Sequence, residues 1–152
     1  MRYIRKLVML AGSCLLFGAI QAAAGPYQDP VYGFRIFTPD TWQTDAADDG
    51  ADRVLRMQSP DGNAYGEARA VHLARGVTVT QLREVFGSTV LPQAQLVGTH
   101  PDAVAGVQGE VAAWRLTMDG QALVVGAFFA VDGPVGYILL TTTTAAQFSV
   151  YS

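Results

Sequence analysis

Apolar and polar residues alternate over Val31–Thr38, with Phe34 and Ile36 on one side and Arg35 and Phe37 on the other. That period of two predicts a β-strand. Pro39 has no N–H to give a ladder and ends it. Asp45–Asp52 (DAADDGAD) is polar and holds Gly50, so it reads as a loop. Arg53–Gln58 and Ala64–Ala74 read as two strands joined by Ser59–Asn63 (SPDGN), a turn with Pro to preset φ and Gly to accept a positive one. The period then changes. Leu82, Val85, Phe86 and Val90 fall at helical spacing, Thr78 and Gln81 form a capping box, and Pro92 stops the run. A helix is predicted over about Val79–Leu91.

Ala94–Gly109 is mixed, with breakers at Gly98, Pro101 and Gly106. Beyond it the β signal is strongest. Ala112, Trp114, Leu116 and Met118 share one face of Val111–Met118, and Asp119-Gly120 is the dipeptide a tight hairpin wants. Ala122–Val131 is apolar on both faces, as a central strand is. Asp132-Gly133-Pro134 turns again into Val135–Thr143, which completes an antiparallel meander of three. Thr144 with Gln147 matches a second capping box, and Phe148 and Tyr151 stand three apart as on a starting helix. That terminal helix reads as short or truncated. Strands, helix, strands and helix onset make an α+β chain, an antiparallel sheet with helices packed on it.

The N-terminus changes the composition that matters. Met1–Lys6 carries three cations, Leu7–Ile20 is an unbroken apolar run, and Gln21–Ala24 is small. Basic, apolar, then small is the order of a secretory signal peptide. The run is shorter than the ~20 apolar residues of a membrane span. Cleavage is expected between Ala24 and Gly25, which leaves residues 25–152 as a single exported domain in the periplasm or cell envelope, with no transmembrane span. The alternatives are an uncleaved anchor and a lipidated Cys14. Against lipidation, Ala11 stands where the lipoprotein box favours Leu, and the apolar run continues past Cys14. The mature domain then has no cysteine, which suits an oxidising compartment and removes thiolate chemistry. Seven arginines against thirteen carboxylates leave it at −6. An acidic domain with scattered arginines is a poor ligand for nucleic acid or anionic lipid.

The segment GFRIFTPDTW (Gly33–Trp42) is similar to the opening of the PsbP/Mog1-like superfamily, including its bacterial DcrB-like members, with Pro39 and Trp42 following Gly33-Phe34 as the sharp features. The hairpin, the mid-chain helix, the meander ending GYILLTTTT and the helix onset extend the similarity over Gly25–Ser152. The resemblance implies a small α-β-α sandwich that binds or scaffolds. It carries no catalytic residue set.

The residues themselves offer little chemistry. Trp42 is either a plug that closes the corner of the sheet, which the resemblance favours, or an indole at a recognition lip. His72 and His100 lie far apart without a third ligand, so no zinc motif forms. Asp45, Asp48, Asp49 and Asp52 surround Gly50 but lack the alternation and distal Glu of a calcium loop, and read as a solvated segment. Glu67, Glu84 and Glu110 sit on different elements. No nucleophile elbow or phosphate-binding glycine motif is present.

The expectation is therefore a non-enzymatic envelope protein without cofactor or bound metal, an accessory or scaffold module for an envelope protein partner. Its surface would be the sheet face left open by the short terminal helix, with Trp42, Phe148 and Tyr151 at the rim. The alternative is a small-molecule or metal-ion binder with a pocket between sheet and helix, anion-selective if Arg35 and Arg115 converge there.

Overall fold

A computed structural model describes residues 26–49 and 52–148. Two residues from each of two short stretches, Tyr27–Gln28 (β1) and Arg35–Ile36 (β2), pair antiparallel. Seven longer strands follow: Gln43–Asp49 (β3), Asp52–Gln58 (β4), Ala64–His72 (β5), then, after the helix Val79–Val90 (α1), Gln95–Val104 (β6), Val107–Met118 (β7), Gln121–Asp132 (β8) and Val135–Thr144 (β9). They form one antiparallel sheet in the order β3-β4-β5-β9-β8-β7-β6. The sheet is two meanders joined by a seam. The first ends in β5. Helix α1 carries the chain to the far edge, and the second meander returns until β9 pairs with β5, Glu67 opposite Leu140.

The helix obeys its sequence signals. The Thr78 hydroxyl accepts from Gln81 N–H, and the Gln81 side chain accepts from Thr78 N–H at 2.9 Å. Leu82 and Phe86, four apart, are its buried positions. They meet Ala112 and Trp114 of β7, Phe129 of β8 and Ile138 and Leu140 of β9 in the main core. Phe86, Trp114 and Phe129 pack edge-on or tilted, with centroids 5.3–6.1 Å apart, the arrangement ring quadrupoles prefer. Gly136 permits the close approach: a Cβ there would stand 2.9 Å from Leu82 Cδ2.

A second core lies on the opposite face. Leu55, Met57 and Ala68 alternate with the residues that face α1, and Tyr27, Phe34, Ile36, Trp42 and Leu139 pack against them.

Several expectations are corrected. The alternation of Val31–Thr38 is real, since Phe34 and Ile36 face the second core while Arg35 and Phe37 are exposed. Its strand is not: only Arg35–Ile36 pairs, and the segment lies on the sheet as a partial second layer. Asp45–Asp49 is strand rather than loop. The β4 ladder recruits Gln43–Asp49 as an edge strand, a position where charged residues are at home. Ala94–Gly109 holds another strand, β6, whose breakers fit its place. Pro101 sits on an edge, and the register shifts between Leu96 and Gly98, a bulge. The meander is thus four strands. The second capping box does not form, because Thr144 ends β9 and Gln147 Oε1 is buried without a hydrogen-bond partner. Among the described residues α1 is the one full helix. Helical backbone begins again at Phe148, and Tyr151 lies outside the described residues.

Candidate functional site

The N-terminal layer is organised by Asp29. Its carboxylate, 1% exposed, accepts from Val31 N–H at 2.9 Å and Tyr32 N–H at 2.7 Å through Oδ1, and from Arg53 Nε at 2.9 Å and the Tyr27 hydroxyl at 3.2 Å through Oδ2. Burial opposes ionisation, but the two amides, Arg53 and Tyr27 together outweigh it and hold the carboxyl below the usual aspartate range. Burial is also the chief reason the Tyr27 phenol is raised. The sequence carried the signal, since Asp-Pro opening a turn that ends in Gly is an Asx-type pattern.

Downstream, Trp42 N–H donates to the Pro39 carbonyl at 2.9 Å. This turn folds the half-buried indole onto the second core, which is the corner plug. The same segment leaves Phe37 80% exposed. Phe148 is exposed as well, and belongs to neither core cluster. The structure does not gather Trp42 and Phe148 into one cluster.

The layer stops short of β7 and β8. On the side away from α1, Val111 faces Phe128 across the pair and Ala113 faces Gly126, while Val124 stands beside Arg115. Val111, Ala113, Val124 and Phe128 are half-buried and lie outside both core clusters. Phe128 folds over Gly109, where a Cβ would strike its ring. Helix α1 packs on β7 and β8 from the other side. This open face runs to the β6 edge, where Val97, Val104 and Val107 are exposed. The edge itself is blunted: Pro101 has no donor, and the Ala103 N–H is occupied by Asp102 Oδ1 at 2.7 Å.

On the α1 side a cavity of about 240 Å³ opens between the helix end and the sheet. Arg35 and Arg115 do not line it, so the anionic site does not assemble. Beside it, buried Glu67 accepts from the Tyr65 hydroxyl at 2.9 Å and from Arg69 at 2.8 and 2.9 Å. Burial first and Glu67 second raise the Tyr65 phenol. Glu110 meets Arg83 at 2.6 Å and Glu84 meets Arg83 at 3.8 Å. Each glutamate therefore faces an arginine rather than another carboxylate. Asp45 of the acidic stretch lies 3.7 Å from Arg56. His72 and His100 are exposed on separate strands.

No family model matches the chain, and no curated protein matches it. Solved structures do. The cyanobacterial PsbP (CyanoP) of Synechocystis sp. PCC 6803 superposes with a TM-score of 0.63 at 16% identity, over 91% of this chain and 89% of that one. The fold is PsbP-like. A Bacteroides thetaiotaomicron structure superposes at 0.50 with 12% identity over 73% of this chain, which spans 38% of the other's length. A protein of unknown function from Pseudomonas aeruginosa, PA94, gives 0.49 at 18% identity, over 86% of this chain and 89% of that one. The likeness to PsbP is one of fold, and it extends over most of both chains. No helix among the described residues is long and apolar enough to cross a membrane.

Proposed function

We infer that this protein is an exported, non-enzymatic accessory module of the cell envelope, which docks a protein partner on the open face of β7 and β8. In this reading residues 1–24 are removed as a signal peptide and residues 25–152 act as one PsbP-like domain. The observation that supports it is the run Val111, Ala113, Val124 and Phe128. These apolar side chains are held on a rigid sheet, yet half-buried beside a layer that ends at Leu139. Contiguous apolar surface of this kind marks interaction sites. The helical second layer of an α-β-α sandwich belongs to the same proposal. Tyr27, Phe34 and Trp42 begin the cover of this face, and the partner takes the part toward β6.

The test is site-specific photo-crosslinking from Ala113 and Val124 in the native host, with identification of the captured protein and N-terminal sequencing of the probe-bearing chain. The reading expects a mature terminus at Gly25 and one envelope protein enriched from both positions. It expects that capture to vanish in a folded Val124→Glu variant used with the Ala113 probe. A terminus at Met1 or a lipidated Cys14 would replace export by cleavage with anchoring. A soluble mature domain that captures nothing from either position would end the docking proposal.

A further inference from the structure

The cavity beneath the end of α1 stands apart from the open face and from any partner docked there. Its walls are apolar: Phe86 and Leu91 from the helix end, with Leu116, Leu123 and Leu140 from three adjacent strands. Its polar groups come from one end of the sheet. Asn63 belongs to the β4–β5 turn, Asp119 and Gln121 to the β7–β8 turn and its exit, and Thr144 to the end of β9. An apolar body with a few polar groups gathered at one side is the usual anatomy of a small-molecule site. Size limits the guest. A cavity of about 150 Å³ holds benzene, so 240 Å³ takes, in proportion, a body of roughly ten heavy atoms.

Charge limits it further. Asp119 is the one charged lining residue, and no arginine or histidine lines the cavity. The helix end adjoining it has no basic side chain in its last turn. That end therefore presents the negative pole of the helix dipole uncompensated. Glu67, behind Tyr65, contributes little net field because Arg69 holds it at 2.8 Å. Both sources of potential disfavour an anion and favour a group that donates hydrogen bonds.

We propose that this cavity binds a compact apolar molecule of about ten heavy atoms that ends in a single hydrogen-bond donor, neutral or positively charged, and rejects the corresponding carboxylate. The apolar body sits against Phe86, Leu116 and Leu140, and the donor end lies among Asp119, Gln121 and Thr144.

Three probes of one shape test it: 4-phenylbutylamine, 4-phenylbutanol and 4-phenylbutyrate, titrated into the full chain and followed by amide chemical shifts. The amine and the alcohol are expected to shift Leu91, Leu116, Leu123 and Thr144, with the carboxylate at least tenfold weaker. Asp119 adopts a left-handed turn conformation, φ 51°, which Asn also tolerates. Asp119→Asn should therefore keep the fold and bring the amine down to the affinity of the alcohol. Val90→Trp, at a half-buried helix position, should fill the cavity and abolish both. No shift with any probe, shifts confined to other residues, or a carboxylate as tight as the amine would overturn the proposal. An amine unaffected by Asp119→Asn would overturn its electrostatic part.

Discussion

A carboxylate buried to the depth of Asp29 costs several kcal/mol unless its oxygens are occupied, and here both are. The residue acts as an internal template: two amides fix the Pro30–Gly33 turn, and Arg53 ties that turn to β4. Asp29→Ala leaves the Val31 and Tyr32 amides without their acceptor and should cost about 2 kcal/mol, read by urea denaturation. The pH dependence follows from the lowered carboxyl. Its contribution to stability is complete above the ordinary aspartate value of 3.8 and is lost as pH falls through the lower folded value. Asp29→Asn should therefore flatten the acid limb of the stability curve below about pH 4. Ala105 is the opposite case, a residue at odds with its conformation. It sits at φ 51° in the turn between β6 and β7, ahead of Gly106 at φ 82°. That pair of positive angles is the hairpin turn for which Asn-Gly is the preferred dipeptide. Ala105→Asn should stabilise the protein by about 0.5–1 kcal/mol, raising the urea midpoint without changing the slope.

At the scale of elements, the free edges decide how the sheet behaves among other chains. The β6 edge offers no donor at Pro101 and a spent one at Ala103. Restoring both, with Pro101→Val and Asp102→Ala together, should leave the monomer folded but increase self-association. Sedimentation velocity across a concentration series would show it as a growing fast-moving species. The same strand explains what the sequence concealed. Helix α1, the β4–β5 hairpin and the core strands β7 to β9 were legible, because period, caps and turn dipeptides agreed there. Strands β3 and β6 were not. Their residues, DAADD in one and Gly98 with Pro101 in the other, disfavour strand locally, and a single neighbouring ladder outweighs that preference. The candidate surfaces divide the same way. Trp42 as a corner plug could be read from its turn, whereas the cavity and the open face arise from the order of strands in the sheet, which no local pattern encodes.

For the whole molecule, the two tryptophans report on different cores. Trp114 lies in the cluster beneath α1, and Trp42 packs on the opposite face against the first meander. Because β5 and β9 form a continuous ladder from Ala64–Thr143 to His72–Val135, the two halves should unfold as one unit. Denaturation of Trp42→Phe and Trp114→Phe, each followed through its remaining indole, should give curves of the same shape with coincident midpoints once each variant's own stability is matched by circular dichroism. Separate transitions in one variant would show that the seam does not couple the meanders.

That seam also sets an order of events. The partners in the central ladder are some seventy residues apart, Tyr65 with Thr142 for example, and contacts so distant are slow to form. Until Val135–Thr144 is available, β5 lacks one neighbour and β8 lacks another, so neither meander has a finished sheet. In the export reading proposed above, such a design keeps the chain open for longer. Nothing N-terminal can close tightly around α1 before the last strand is in place, and closure then follows in a single late step.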